Sequence, residues 1–192
     1  MRISTGIYRN KKILTFEDKE LRPTTSMVRE AIFNILAHNK NFSQIFDNRK
    51  NLTFLEICCG SAIVSFEALS RGIKKVIALD YNPKAKEIFE QNSKNILKNH
   101  EITKFILGDI NDFPKYQIKT DICFIDPPYK KQPYYKTILT SLAKNNWLNN
   151  NAIIILESSN KIDIIDDIDN YQFLFSKKYG NSKLSFFKFL MS

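Results

Sequence analysis

Leu52-Thr53-Phe54-Leu55-Glu56-Ile57-Cys58-Cys59-Gly60-Ser61-Ala62 is the stretch that decides the fold. Its apolar run, 52–58, reads as a buried strand. Gly60-Ser61 breaks the strand, and an apolar helix follows to about Arg71. The same alternation then repeats. A strand at 75–79 ends at Asp80, and Pro83 sits near the first position of a helix that runs to about Asn99. A strand at 103–107 precedes Gly108-Asp109, and one at 121–125 precedes Asp126. A helix at 133–144 leads to a strand at 152–156 that ends at Glu157. Such alternation predicts an α/β fold whose parallel sheet is covered on both faces. Segments 172–178 and 184–190, around Tyr179-Gly180-Asn181-Ser182, read as a C-terminal antiparallel hairpin.

Upstream, Met27, Ala31, Ile35 and Val28, Ile32, Leu36 recur every four residues, the mark of an amphipathic helix ending near His38. Arg22-Pro23-Thr24-Thr25-Ser26 supplies its N-cap. Residues 39–51 are polar and read as a loop with at most a short turn. Residues 2–8 and 11–16 suggest a small N-terminal β-hairpin, with Gly6 as a bulge. The expected division is a basic hairpin extension over 1–20 and one main domain over 21–192.

The chain has 192 residues, enough for one full core. Its longest strongly apolar stretch, 152–156, is far short of the roughly 20 residues of a membrane span. No apolar leader opens the sequence, so a cytoplasmic protein is expected. Cys58, Cys59 and Cys123 lie in apolar strands without a Cys-x-x-Cys or a nearby His. They read as reduced core thiols, and a zinc site has no support. The net charge of +9 points to a polyanionic partner. Lysine, at 23 residues, far outnumbers arginine, at 6, so arginine placement is the sharper signal. Four arginines, Arg2, Arg9, Arg22 and Arg29, crowd the first 29 residues, and guanidinium grips phosphate in a forked way.

Open α/β sheets bind ligands beyond the carboxyl ends of their strands. Here Glu56, Asp80, Asp109, Asp126 and Glu157 stand at or near those ends. Singly each fits a cap or turn. As a set they suit a polar or cationic ligand. Asp80 lies 20 residues beyond Gly60, where a carboxylate grips ribose hydroxyls. Ala62 and Ser65 stand where a dinucleotide fingerprint requires glycine, so nothing is tailored to pyrophosphate. An adenosine cofactor without phosphates fits better, and S-adenosylmethionine also carries the cationic groups that suit an acidic rim.

Asp126-Pro127-Pro128-Tyr129 ends its strand in a rigid corner. The prolines fix φ and remove two donors, leaving a carboxylate, carbonyl acceptors and an aromatic face. That set suits a planar substrate with an exocyclic amine, although a strand-ending turn with a solvated Asp would look the same.

Together these features resemble a class I S-adenosylmethionine-dependent methyltransferase. The resemblance narrows at Met1-Arg2-Ile3, Gly6-Ile7-Tyr8 and Leu21-Arg22-Pro23-Thr24-Thr25. Val28-Arg29-Glu30-Ala31-Ile32-Phe33-Asn34-Ile35-Leu36 and Glu67-Ala68-Leu69-Ser70-Arg71-Gly72 continue it, as does Lys178-Tyr179-Gly180-Asn181-Ser182-Lys183-Leu184. The chain is similar to the bacterial 16S ribosomal RNA guanine-N2 methyltransferase family over nearly its whole length. The resemblance implies a Rossmann-like fold with a mostly parallel seven-stranded sheet. It implies S-adenosylmethionine as cofactor, no metal, and 16S RNA or the assembling small subunit as partner of a monomer. Glu56, Cys58, Gly60, Ser61 and Ala62 would border its methionine part. Asp80 would bind the ribose hydroxyls, Tyr81 would also touch the cofactor, and Asp109 and Ile110 would meet the adenine. Thr24 and Thr25 would close over the cofactor or simply cap the helix. Asp126, Pro127, Pro128 and Tyr129 would carry catalysis, with Asp126 also touching the cofactor. Arg2, Arg9, Arg22, Arg29, Lys130 and Lys131 would contact RNA. The family's pattern has glycines at 62 and 65. A side chain there, if φ is positive, costs roughly 1 kcal/mol. Three alternatives share parts of this pattern: a DNA adenine-N6 methyltransferase, a protein-glutamine methyltransferase, and a non-catalytic RNA-binding assembly factor on the same fold.

Overall fold

The central strands are apolar throughout because both of their faces are covered. In the computed structural model, which describes residues 1–16, 24–98, 102–109, 118–128, 134–162 and 168–191, β1 (Thr53–Ile57) is buried at every position. Its side chains alternate between two cores. Phe54 enters one, together with Ile122 and Phe124 of β4 (Thr120–Ile125). Leu55 and Ile57 enter the other, together with Cys123 and Ile125.

The first core is roofed by α1 (Ser26–His38), α3 (Ile63–Ser70) and α4 (Pro83–Ile96), with Phe46 of the short α2 (Ser43–Asp47) at its margin. The second is roofed by α5 (Tyr134–Lys144), through Tyr135, Ile138, Leu139 and Leu142. In α4, Ala85, Phe89, Asn92 and Ile96 form the buried stripe expected of an amphipathic helix. Asn82 caps it by accepting from the Lys84 N–H at 2.9 Å, and Pro83 fills the first helical position.

With β2 (Lys75–Asp80), β3 (Ile102–Leu107), β5 (Leu148–Ser159), β6 (Tyr171–Tyr179) and β7 (Ser182–Phe189), the sheet has seven strands in the order β3-β2-β1-β4-β5-β7-β6. The five strands from β3 to β5 are parallel, and β7 joins β5 and β6 antiparallel. This is the expected architecture, with differences at the margins. β5 is longer than the 152–156 run because Leu148 pairs with Thr120 before a bulge and Ser158 and Ser159 continue the ladder to β7. The polar segment 39–51 holds α2 and a 3-10 turn, Arg49–Asn51. No helix among the described residues is long and apolar enough to cross a membrane.

The N-terminal arm departs most from expectation. Its strands shrink to one antiparallel bridge, Arg2 with Lys12, flanked by backbone bonds between Ile3 and Lys11 and between Met1 and Ile13, and the arm is also tied to α3. The Ile7 and Tyr8 N–H groups donate to the carbonyl and hydroxyl of Ser70, at 2.8 and 2.9 Å. Ile3, Tyr8 and Ile13 are buried in the first core. Gly6 has φ 88°, and a Cβ there would fall onto the Ser70 carbonyl, so glycine is required by close approach.

Candidate active site

The register aligns the strand ends. Ile57 pairs with Leu79 and with Ile125, Asp80 with Leu107, and Ile125 with Leu156. The residues that follow therefore emerge on one rim, and β1 and β4 are the neighbours at which the strand order reverses. Ligands of open α/β sheets lie at that switch point. The Asp126 N–H donates to the Ile57 carbonyl at 3.3 Å, which ties the Asp-Pro-Pro corner directly to the turn after β1.

That turn is unusually bent. Cys58, Gly60 and Ala62 have φ of 58°, 51° and 56°, all left-handed. Two of them carry side chains, at about 1 kcal/mol each. Ser65 has an ordinary φ inside α3, so the strain foreseen for the two glycine replacements is present at Ala62 alone. Ala62, at the N-cap of α3, has no side chain to satisfy the helix's first N–H groups. Glu56 does so from the adjacent strand. Its Oε2 accepts from the Ser65 N–H at 2.7 Å. Glu56 is only 3% exposed, so it supports the turn from beneath.

Burial pushes the Glu56 carboxyl up to about 7, and the charge of Asp80 adds to this, while hydrogen bonding to Ser65 and the Val64 backbone holds it back. The folded protein therefore prefers Glu56 neutral, whereas in the unfolded chain it ionises near 4.5. As pH rises between these values the unfolded state loses its proton first, and stability falls. Glu56→Gln mimics the neutral acid. Urea unfolding of the two proteins across this window should show the wild type losing up to about 3 kcal/mol relative to the variant, then levelling above pH 7. Parallel profiles would show that Glu56 ionises alike in the folded and unfolded states.

Asp80 is 3% exposed, and its oxygens accept from the Gly60 N–H and the Asn82 N–H, both at 2.9 Å. Gly108 donates to the Asp80 carbonyl at 3.1 Å, bringing exposed Asp109 to the same rim beside exposed Tyr81. Ser61 and Cys58 are half-buried along the turn. Burial and the nearby Glu56 and Asp80 charges raise the Cys59 thiol well above its ordinary value, which keeps it inert.

The two threonines divide their roles. Thr25 is the N-cap of α1 and accepts from the Val28 N–H at 3.3 Å. Buried Thr24 instead aims its hydroxyl at Asp126 Oδ2, 3.4 Å away. Asp126 is half-buried and Pro127 is buried. Tyr129, Ile110, Arg22, Lys130 and Lys131 lie outside the described residues.

Two expectations are corrected. Glu157 belongs to the strand-end row but not to an open rim. It is 4% exposed and accepts from the Ser182 hydroxyl at 2.7 Å, held by the hairpin strand β7. Arg29 does not present its guanidinium to RNA. It is 4% exposed and pairs with Glu67. Arg2 and Arg9 remain exposed, although Arg2 also donates to the Asn10 carbonyl at 2.7 Å. Glu67 itself was missed. The available signal was a lone acid within an eight-residue helix that is otherwise apolar or small, and all of whose residues are buried.

The family described as Conserved hypothetical protein 95 matches residues 1–188. The chain belongs to that family. It is the methyltransferase type represented by ribosomal RNA small subunit methyltransferase D. The protein of that name from Buchnera aphidicola (subsp. Baizongia pistaciae) is 34% identical over 165 residues, covering 84% of this chain and 78% of its own. The one from Haemophilus influenzae is 30% identical over 183 residues, covering 94% and 89%. A crystal structure of a putative methylase from Haemophilus influenzae superposes with TM-score 0.77 at 25% identity, covering 99% of this chain and 98% of that one. Like that of its structural neighbours, the fold of this Conserved hypothetical protein 95 member is the class I methyltransferase fold.

Proposed function

We propose that this protein transfers a methyl group from S-adenosylmethionine to the exocyclic N2 amine of a guanine in 16S ribosomal RNA. The observation that carries the reading is the bond from Asp126 N–H to the Ile57 carbonyl. It joins an amine-accepting corner to a turn suited to the cofactor, at the switch point of the sheet. The residues present fit that cofactor. Asp80 would offer a carboxylate to ribose hydroxyls, the 58–62 turn offers backbone at a helix N-terminus, and exposed Asp109 would meet the adenine, with exposed Tyr81 also facing the cofactor. The relatives' names favour ribosomal RNA as substrate.

When bound, the cofactor supplies an electrophilic methyl group on a sulfonium. The chain's own part is positioning. The guanine amine is a poor nucleophile because its lone pair is delocalised into the ring. Asp126 and the Pro127 carbonyl accept hydrogen bonds from the amine protons, which turns the lone pair toward the methyl group. Thr24 holds one Asp126 oxygen, so Asp126 acts as an orienting acceptor rather than a strong base. The gain is one of orientation and charge placement. Tyr129 would stack on the unpaired base. We read residues 1–20 as a basic extension of the domain over 21–192, with Arg2 and Arg9 as its exposed phosphate contacts.

Incubation with labelled cofactor and 16S RNA, or partly assembled small subunits, followed by nucleoside analysis, tests the proposal. The expected product is N2-methylguanosine. N6-methyladenine in DNA would replace this reading with a DNA methyltransferase. RNA binding without cofactor binding by calorimetry would replace it with an assembly factor.

A further inference from the structure

The buried guanidinium of Arg29 makes three contacts, two of them long-range. Its Nε reaches Glu67 Oε1 at 3.3 Å, its Nη1 donates to the Thr24 carbonyl at 2.7 Å, and its Nη2 donates to the Arg2 carbonyl at 3.1 Å. These partners lie on α3, just before the cap of α1, and on the N-terminal arm. Glu67 is fully buried and also accepts from Ser4 of the arm, from the backbone N–H at 2.7 Å and the hydroxyl at 3.1 Å. Arg71 sits 3.6 Å from its other oxygen.

A buried charge persists only when paired and hydrogen-bonded, and this one is. The consequence concerns Thr24. That residue precedes the N-cap, so its carbonyl falls outside the helix's own ladder, and the Arg29 N–H already bonds to Thr25 instead. The charged Nη1 contact fixes the Thr24 peptide plane, and with it the direction of a hydroxyl that ends 3.4 Å from Asp126.

We propose that Arg29 is a positioning residue for the methyl-transfer corner: anchored by Glu67, it fixes Thr24 so that the Thr24 hydroxyl orients the Asp126 carboxylate, and it joins the N-terminal arm to that corner through the same contacts. The proposal rests on the reading of Asp126 as the amine acceptor. It also explains how an arm that makes one β-bridge of its own is held in register with the site.

Arg29→Lys keeps the charge beside Glu67 and loses the fork, which makes it the variant most compatible with folding. With labelled cofactor and 16S RNA, kcat should fall by about 10²-fold, the scale set by small misplacements of a catalytic group, while the cofactor KM stays near the wild-type value. In a Thr24→Val background the same replacement should cause little further loss of kcat, because the intermediary is already gone. An equal loss in both backgrounds would overturn the relay. Hydrogen exchange provides a readout independent of turnover. Arg29→Lys should speed exchange at Ser4 and at Val28 together, while central strand amides of β1 and β4 keep their protection. Unchanged exchange at both segments would overturn the proposal even if the wild type methylates guanine. If the wild type methylates nothing and the two segments still loosen together, the functional reading fails and the mechanical link stands.

Discussion

Asp126→Ala should lower methyl transfer by about 10²–10³-fold, the loss typical of removing one preorganised hydrogen-bonding group, and leave cofactor binding largely intact. The substitution deletes the carboxylate proposed to accept from the amine. The Asp126 N–H still bonds to Ile57, and the prolines still end β4, so the corner should keep its backbone shape. The measurement is single-turnover methylation of 16S RNA beside calorimetric titration of the cofactor. Near-normal turnover would remove Asp126 from its assigned role. Asp126→Asn refines the point. It keeps a carbonyl acceptor without the charge, so an intermediate rate would assign part of the effect to acceptor geometry and part to charge.

The second large effect concerns stability. Glu67→Ala should destabilise the fold by about 3–5 kcal/mol, because it leaves the Arg29 guanidinium in the core without its counter-charge. In a domain of this size, that corresponds to a fall of about 10 °C in Tm. Burial rather than proximity makes the difference. The exposed pair Lys86–Glu90, at 4.0 Å, is expected to contribute well under about 1 kcal/mol. Ser4 loses both its acceptors in the same variant, so the arm should also become an early site of limited proteolysis. A Tm shift as small as that of a surface substitution would mean that water replaces Glu67 around Arg29. Glu67→Gln, which keeps an acceptor for Ser4 but not the charge, should fall between.

The raised Glu56 carboxyl fits the same picture from the other side of the turn. Ala62 lies in the left-handed region, and the helix it begins has no side-chain cap. A neighbouring strand supplies the missing acceptor. The turn keeps its shape without glycine at 62 because the conformational cost there is small and the helix's open N–H is satisfied from the sheet.

The order of strands and helices, the acids at the strand ends and the Asp-Pro-Pro corner were all legible in the residues. Periodicity reports which faces are buried, and proline and glycine report where the backbone must turn, and both are local properties of the chain. The role of Arg29 was not legible. An arginine near an arginine-rich arm looks like a phosphate ligand until α3 brings Glu67 beneath it, 38 residues away. Nor could the sequence separate Thr24 from Thr25. One caps a helix and the other faces Asp126, 102 residues on, and only packing decides which is which. Glu157 fell in line with the other acids by position, yet β7 folds back and takes its carboxylate with Ser182. The sequence by itself determined the sheet, its layers and the chemistry available at its rim, because those follow from local pattern. The tertiary structure alone decided which charges stay at the exposed rim and which are paired inside the fold, because that depends on burial and on partners brought from distant segments.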